Sequence, residues 1–340
     1  MAQPFDVSRA ARAGDAVPLA EPVMQVPVLR GAFSASTTGV LTYVVQTQDQ
    51  QRLTWFDRNG RPQGTVGDPG TYSHLALSPD DRRLAYSHSD GTNRDIFVMD
   101  LAGGGGPMRV TTDPGQEFDP VFTTDGADLV FNSNRDRSFA LYRRPANGGG
   151  QDARIVKLDV GNMQVPEVAR DGSVLVFSGG AAGALDLWVL PLSGGGQPTP
   201  MWTTPALETS PALSADVHWV AYSSNETGRT EIYVQAFPAG GDRHVISHSG
   251  GHDPRWRRDG RELYFLSPDG TMMAARIDAS HGFQSTLEPL FETGITVTNG
   301  HPYAVTQDGQ RFLYPVTTNP VAPRLTVVLN WMSELGTAKK

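Results

Sequence analysis

YSHLALSPDDRRLAYS, residues 72–87, decides the reading of the fold. A short strand runs from Ser73 into a tight turn at Asp80, and a second strand, with Leu84, Ala85 and Tyr86, leaves it. Alternation with a period of two, bounded by turn residues, is what a strand pair looks like in sequence. The same grammar returns along the chain. EFDPVFTTDGADLVFN starts at Glu117, MQVPEVARDGSVLVFS at Met163, ETSPALSADVHWVAYS at Glu208 and GHDPRWRRDGRELYFL at Gly251. Looser copies are GAFSASTTGVLTYVVQ from Gly31 and GHPYAVTQDGQRFLYP from Gly300. The turn anchors Gly39, Asp80, Asp125, Asp171, Asp216, Asp259 and Asp308 stand roughly 41–49 residues apart, the period of a propeller blade.

Each copy continues in the same way. A third strand follows, such as Asp95–Asp100, Asp186–Leu190 or Glu231–Gln235, then a glycine-rich turn, then a fourth strand such as Met108–Val110 or His244–Ile246. No segment of helical length sustains a 3.6-residue pattern. Four strands per unit, repeated radially, leave only short protected sheet edges. The expectation is therefore an all-β chain forming one β-propeller over residues 1–340. Seven four-stranded blades are expected, with six and eight left open, near 31–70, 71–115, 116–161, 162–206, 207–249, 250–298 and 299–335. Residues 1–30 are expected to provide linker and closing strand, from Val17–Ala20 or Ala2–Asp6.

Composition narrows the function classes. A net charge of −8 gives no electrostatic reason to bind nucleic acid. With Cys 0, disulfides, thiolate nucleophiles and cysteine-based zinc sites are excluded. No run of about 18 apolar residues exists, and the N-terminal MAQPFDVSRAARAGD has no apolar centre of a secretory signal. These features lead us to expect a soluble protein of cytoplasm or periplasm, without membrane insertion.

The turn motif stands as SPDD at Ser78–Asp81, as TTDG at Thr123–Gly126, and again as ARDG, RRDG and TQDG. In this it resembles the TolB-like (WD40-like) propeller repeats. LTWFDRNGRPQGTVG, HDPRWRRDGRELYFLSPDG and the terminal LTVVLNWMSEL, in that order, look like the propeller at the C-terminus of bacterial serine/threonine kinases. The kinase motifs themselves are missing from this sequence. The resemblance implies a binding or scaffold role, and relatives fused to a kinase or a membrane anchor.

Chemistry-bearing residues gather at one slot of the repeat. Innermost propeller strands line an axial channel, and residues at their entrance face one funnel. That slot reads His74, then Glu117 and Asp119, Gln164, Glu208, His252 and Asp253, then His301. Imidazole and carboxylate together suit a divalent metal, Zn²⁺ or Mn²⁺ before Ca²⁺. On that reading His74, Asp119, His252, Asp253 and His301 supply ligands, and Glu117 or Glu208 acts as general base. The bland alternative is a hydrated polar mouth that any propeller shows. The glycine runs Gly103–Gly106, Gly148–Gly150 and Gly194–Gly196 precede strands, not helices, so they read as hairpin turns rather than phosphate loops. The repeated Asp reads as a turn acceptor. Two functions follow as expectations: a propeller binding a small molecule or protein at the axial funnel, or a metal-dependent hydrolase of the esterase, lactonase or phosphotriesterase type.

Overall fold

The computed structural model describes residues 5–6, 8–9, 11–12, 25–26, 30–44, 50–103, 105–136, 138–157, 162–181, 183–238, 240–279, 282–295, 300–319 and 325–331. Its contacts divide the chain into two compact units, residues 51–317 and residues 1–50 with 318–340.

The larger unit is a succession of antiparallel four-stranded sheets. The first runs Ser73–Leu77, Arg83–Ser89, Arg94–Asp100, Met108–Arg109 from its inner strand outward. The second to fifth sheets have inner strands Glu117–Phe122, Asn162–Val168, Glu208–Leu213 and His252–Trp256. The sixth joins chain positions far apart, pairing Ala304–Val305 and Arg311–Asn319 with Gln50–Asp57 and Pro62–Gly70.

Packing shows why these sheets form a ring. Each buried apolar cluster is shared by two successive sheets, as Phe131 and Tyr142 of the second sheet pack with Ile96 and Val98 of the first. The sixth sheet closes the circle. Its Tyr303, Phe312 and Tyr314 pack with Tyr264 and Met272 of the fifth. Its Leu53, Trp55 and Leu313 pack with Leu75, Leu84 and Tyr86 of the first. Broad aromatic and branched side chains fill the wedge between sheets that diverge from a common axis.

The described residues thus give six four-stranded sheets where seven modules were expected. The segment from Gly31 is the reason. Its strand Val40–Val44 pairs with Phe33–Ala35 and Leu325–Leu329 in a three-stranded sheet of the smaller unit. The strands after it, Gln50–Asp57 and Pro62–Gly70, complete the sixth sheet. Of the segments expected to close the ring, Val17–Ala20 lies outside the described residues, and Phe5–Asp6 pairs with Ala11–Arg12.

The repeated aspartates act as turn acceptors. Ser78 Oγ donates to Asp80 Oδ1 at 2.6 Å, and the Asp125 carboxylate accepts Thr123 Oγ1 at 2.7 Å and the Ala127 N–H at 2.9 Å. Thr306 and Gln310 bind Asp308 in the same way. The described residues of the glycine runs lie in the connections between third and fourth strands.

Candidate functional site at the axial channel

A β-bulge positions the slot residues. In each of the first five sheets the inner strand slips by one residue against its neighbour. In the second, Phe118 faces Asn132 but Val121 faces Val130. In the fifth, His252 faces Leu266 but Arg255 faces Tyr264. The extra residue sits in the left-handed region: His74 at φ 54°, Asp119 at 51°, Ser210 at 52° and Asp253 at 55°. A bulge bends the strand and re-aims one side chain, so four sheets repeat the device with a polar residue in that conformation.

The side chains brought together this way form two pairs. His74 Nε2 stands 3.4 Å from Asp119 Oδ1, and His74 Nδ1 3.1 Å from Ser73 Oγ. Burial pushes the His74 imidazole below its ordinary value, and the Asp119 charge opposes that shift. His252 Nδ1 lies 2.9 Å from Asp253 Oδ2, while Ser210 donates to Asp253 Oδ1 at 2.9 Å. His301 is held by its backbone, whose carbonyl accepts the Leu75 N–H at 2.8 Å. Burial, with Arg255 and His74 nearby, holds its ring well below the usual imidazole value. Among the described residues no three His, Asp or Glu side chains are grouped closely enough to hold a metal ion. Of the expected ligand set, His74 and Asp119 form one contact and His252 and Asp253 another, with the Asp253 charge reaching His74 and His74 lying near His301.

Glu117 and Glu208, expected as general bases, occupy another register position. Each is opposite a serine of the second strand, Ser133 and Ser224. Glu117 accepts from Ser133 Oγ at 3.0 Å and pairs with Arg135 at 3.1 Å. Glu208 accepts the Thr204 hydroxyl. Burial pushes both carboxyls up to about 7. Neither lines either of the two channel cavities described next.

At the entrance of the inner strands lies a cavity of about 220 Å³, lined by His74, Arg94, Phe118, Asp119, Asn132, Phe139, Met163, Gln164 and Gly300. The Arg94 guanidinium carbon sits 4.8 Å from the Phe118 ring centroid, a cation–π contact. Arg94 Nε and Asn132 Oδ1 are buried without a hydrogen-bond partner. Gly300, at φ 86°, keeps this space open, since a Cβ there would collide with the His74 ring and stand 2.9 Å from Asp119 Oδ1. Arg94 comes from the third strand of the first sheet and Asn132 from the second strand of the second, positions that the spacing of the repeat does not single out.

At the other end of the inner strands a second cavity, of about 180 Å³, is lined by residues of all six inner strands, among them Leu75, Val121, Glu167, Ala212, Arg255 and Ala304.

Residues 23–179 match the TolB beta propeller domain family. A 54-residue stretch is 33% identical to the Tol-Pal system protein TolB of Bordetella pertussis, covering 16% of this chain and 12% of that protein. The chain thus spans about an eighth of the length of that curated relative. Among solved structures, a TolB candidate from Agrobacterium tumefaciens matches with a TM-score of 0.64 at 20% identity, over 81% of this chain and 100% of that one. A gluconolactonase from Xanthomonas campestris matches with a TM-score of 0.51 at 17% identity, over 80% of this chain and 97% of that one. At such identities the likeness speaks for the fold alone.

Proposed function

We propose that the chain, a β-propeller with TolB-like repeats, is a binding module whose ligand occupies the chamber at the entrance of the inner strands. The observation that carries this reading is the pair of unsatisfied atoms in that chamber. Arg94 Nε and Asn132 Oδ1 are buried without partners beside the His74–Asp119 couple, between Phe118, Phe139 and Met163. A buried donor or acceptor left unpaired costs about 1–3 kcal/mol. A ligand that supplies the missing partners recovers that cost. The fitting ligand is small, has both a donor and an acceptor, and carries an apolar or aromatic body for the ring walls.

The test is a thermal-shift screen of small polar metabolites, followed by titration of each stabilising compound. Compounds that bind the unaltered chain should bind at least tenfold more weakly to Arg94→Met and to Gly300→Ala, which narrows the chamber. Stabilising compounds indifferent to both substitutions would remove the reading. The same preparation is assayed for metal content and for turnover of aryl esters and phosphotriesters. Stoichiometric Zn²⁺ or Mn²⁺ with chelator-sensitive turnover that vanishes in His252→Ala would replace binding by hydrolysis.

A further inference from the structure

The second cavity has a different chemistry from the entrance chamber and no part in the reading above. Its walls are mixed: Leu75, Val121, Leu213 and Trp256 supply apolar surface, and the larger, polar share includes guanidinium groups. Arg257 is occupied, at 3.0 Å from Glu262 and 3.3 Å from Asp259. Arg255 is not. Among the described residues it makes no ion pair; Nη1 has one long contact, 3.4 Å, to the Pro254 carbonyl, and Nη2 is buried without a partner. Among the described residues Arg170 donates only to the neutral side chain of Gln307.

The acid in this space is Glu167. It feels the charges of both Arg255 and Arg170, forms an ion pair with neither among the described contacts, and burial favours its neutral form. His301, 1% exposed, lines the same cavity with Nε2 unpartnered. An arginine is always charged and presents a planar fork of donors matched to a carboxylate. A half-buried guanidinium whose Nη2 is buried without a partner, in a partly apolar space of net positive charge, is a site for an anion with a short apolar body.

We infer that the cavity at the far end of the inner strands is a carboxylate site, in which Arg255 and Arg170 grip the acid group and the leucine, valine and tryptophan walls enclose a short branched stem. At about 180 Å³ the space is below the range of roughly 300–1,000 Å³ typical of drug-sized ligands. It suits an acid of about four or five carbons, free or as the end of a chain. Whenever it ionises, Glu167 competes with the ligand for the arginines.

The experiment is calorimetric titration of the full chain with 3-methylbutanoate and, separately, with 3-methylbutanamide, which has the same shape without the charge. The acid should bind saturably and at least tenfold more tightly than the amide. Arg255→Met should weaken the acid at least tenfold, Glu167→Gln should tighten it several-fold, and Arg276→Ala, an exposed position of the fifth sheet outside the cavity, should leave it unchanged. A tripeptide ending in leucine, compared with its C-terminal amide, separates a chain end from a free acid as the source. Equal affinity for acid and amide, or saturable binding of neither acid nor peptide, overturns the inference. Should Arg255→Met lose its cooperative melt, the acid-to-amide ratio and the Glu167→Gln response decide. Loss of the entrance-chamber reading would leave this result standing, and the reverse holds too.

Discussion

At the scale of single residues, the channel is governed by how burial and neighbouring charge divide the imidazoles and carboxylates. Asp119 is the largest influence raising the His74 value against burial. Asp119→Asn should therefore move the His74 titration to lower pH, read from the ring proton shifts in NMR; an unmoved or upward-shifted midpoint would contradict the couple. Glu208 works in the opposite sense. Its carboxyl is raised from 4.5 to about 7 by burial, so the folded protein holds a proton that the unfolded chain has released between those values. Its contribution is fully present below pH about 4.5 and is lost as pH rises through about 7. Replacing it by Gln, which mimics the neutral acid, should flatten that part of the stability profile, by about 1–3 kcal/mol between pH 5 and 8. Urea titrations at both pH values check it. The sequence showed that Glu117 and Asp119 share one repeat position. It did not show that a bulge between them sends one into the sheet and the other to the axis, because alternation alone places residues two apart on the same face.

At the scale of the element, the turn between inner and second strands is the most legible feature of the molecule. The residue after the turn Asp takes the left-handed conformation, and glycine holds that place in four sheets, at Gly126 (φ 67°), Gly172 (72°), Gly260 (72°) and Gly309 (67°). Two sheets put other residues there, Asp81 at φ 59° and Val217 at φ 60°. A β-branched residue in that region is strained. Val217→Gly should therefore raise stability by about 1 kcal/mol, the strain relief exceeding the extra freedom of the unfolded chain. A lowered denaturation midpoint would mean that the apolar contacts of Val217 with its cluster outweigh the strain. Local turn chemistry of this kind is written in adjacent residues, which is why five of the repeats were readable from Asp80, Asp125, Asp171, Asp216 and Asp259. The copy anchored at Gly39 lacks the aspartate and its hydrogen bonds, and there the module reading parts from the structure.

At the scale of the whole chain, the question is which segment holds the ring shut. Local pattern identifies a strand but not its partner, and the pairing of residues near 55 with residues near 315 is a contact between distant parts of the sequence. That is why the repeat pattern assigns Gln50–Gly70 to a first module when it completes the last one. The seam it makes is dense. Leu53, fully buried in the structure, packs among Trp55, Leu75, Leu84, Tyr86 and Leu313. Leu53→Ala empties space that rigid flanking sheets cannot easily refill, at about 2–5 kcal/mol. Deleting residues 1–30 removes none of the described strands of the six sheets, and should cost less stability than Leu53→Ala. Chemical denaturation of both variants against the unaltered chain gives the comparison. A deletion more damaging than Leu53→Ala would return the closing role to the N-terminal segment; the opposite order assigns it to the strand pair that begins at Gln50, and makes the meeting of that pair with Arg311–Asn319 the non-local step on which ring formation depends.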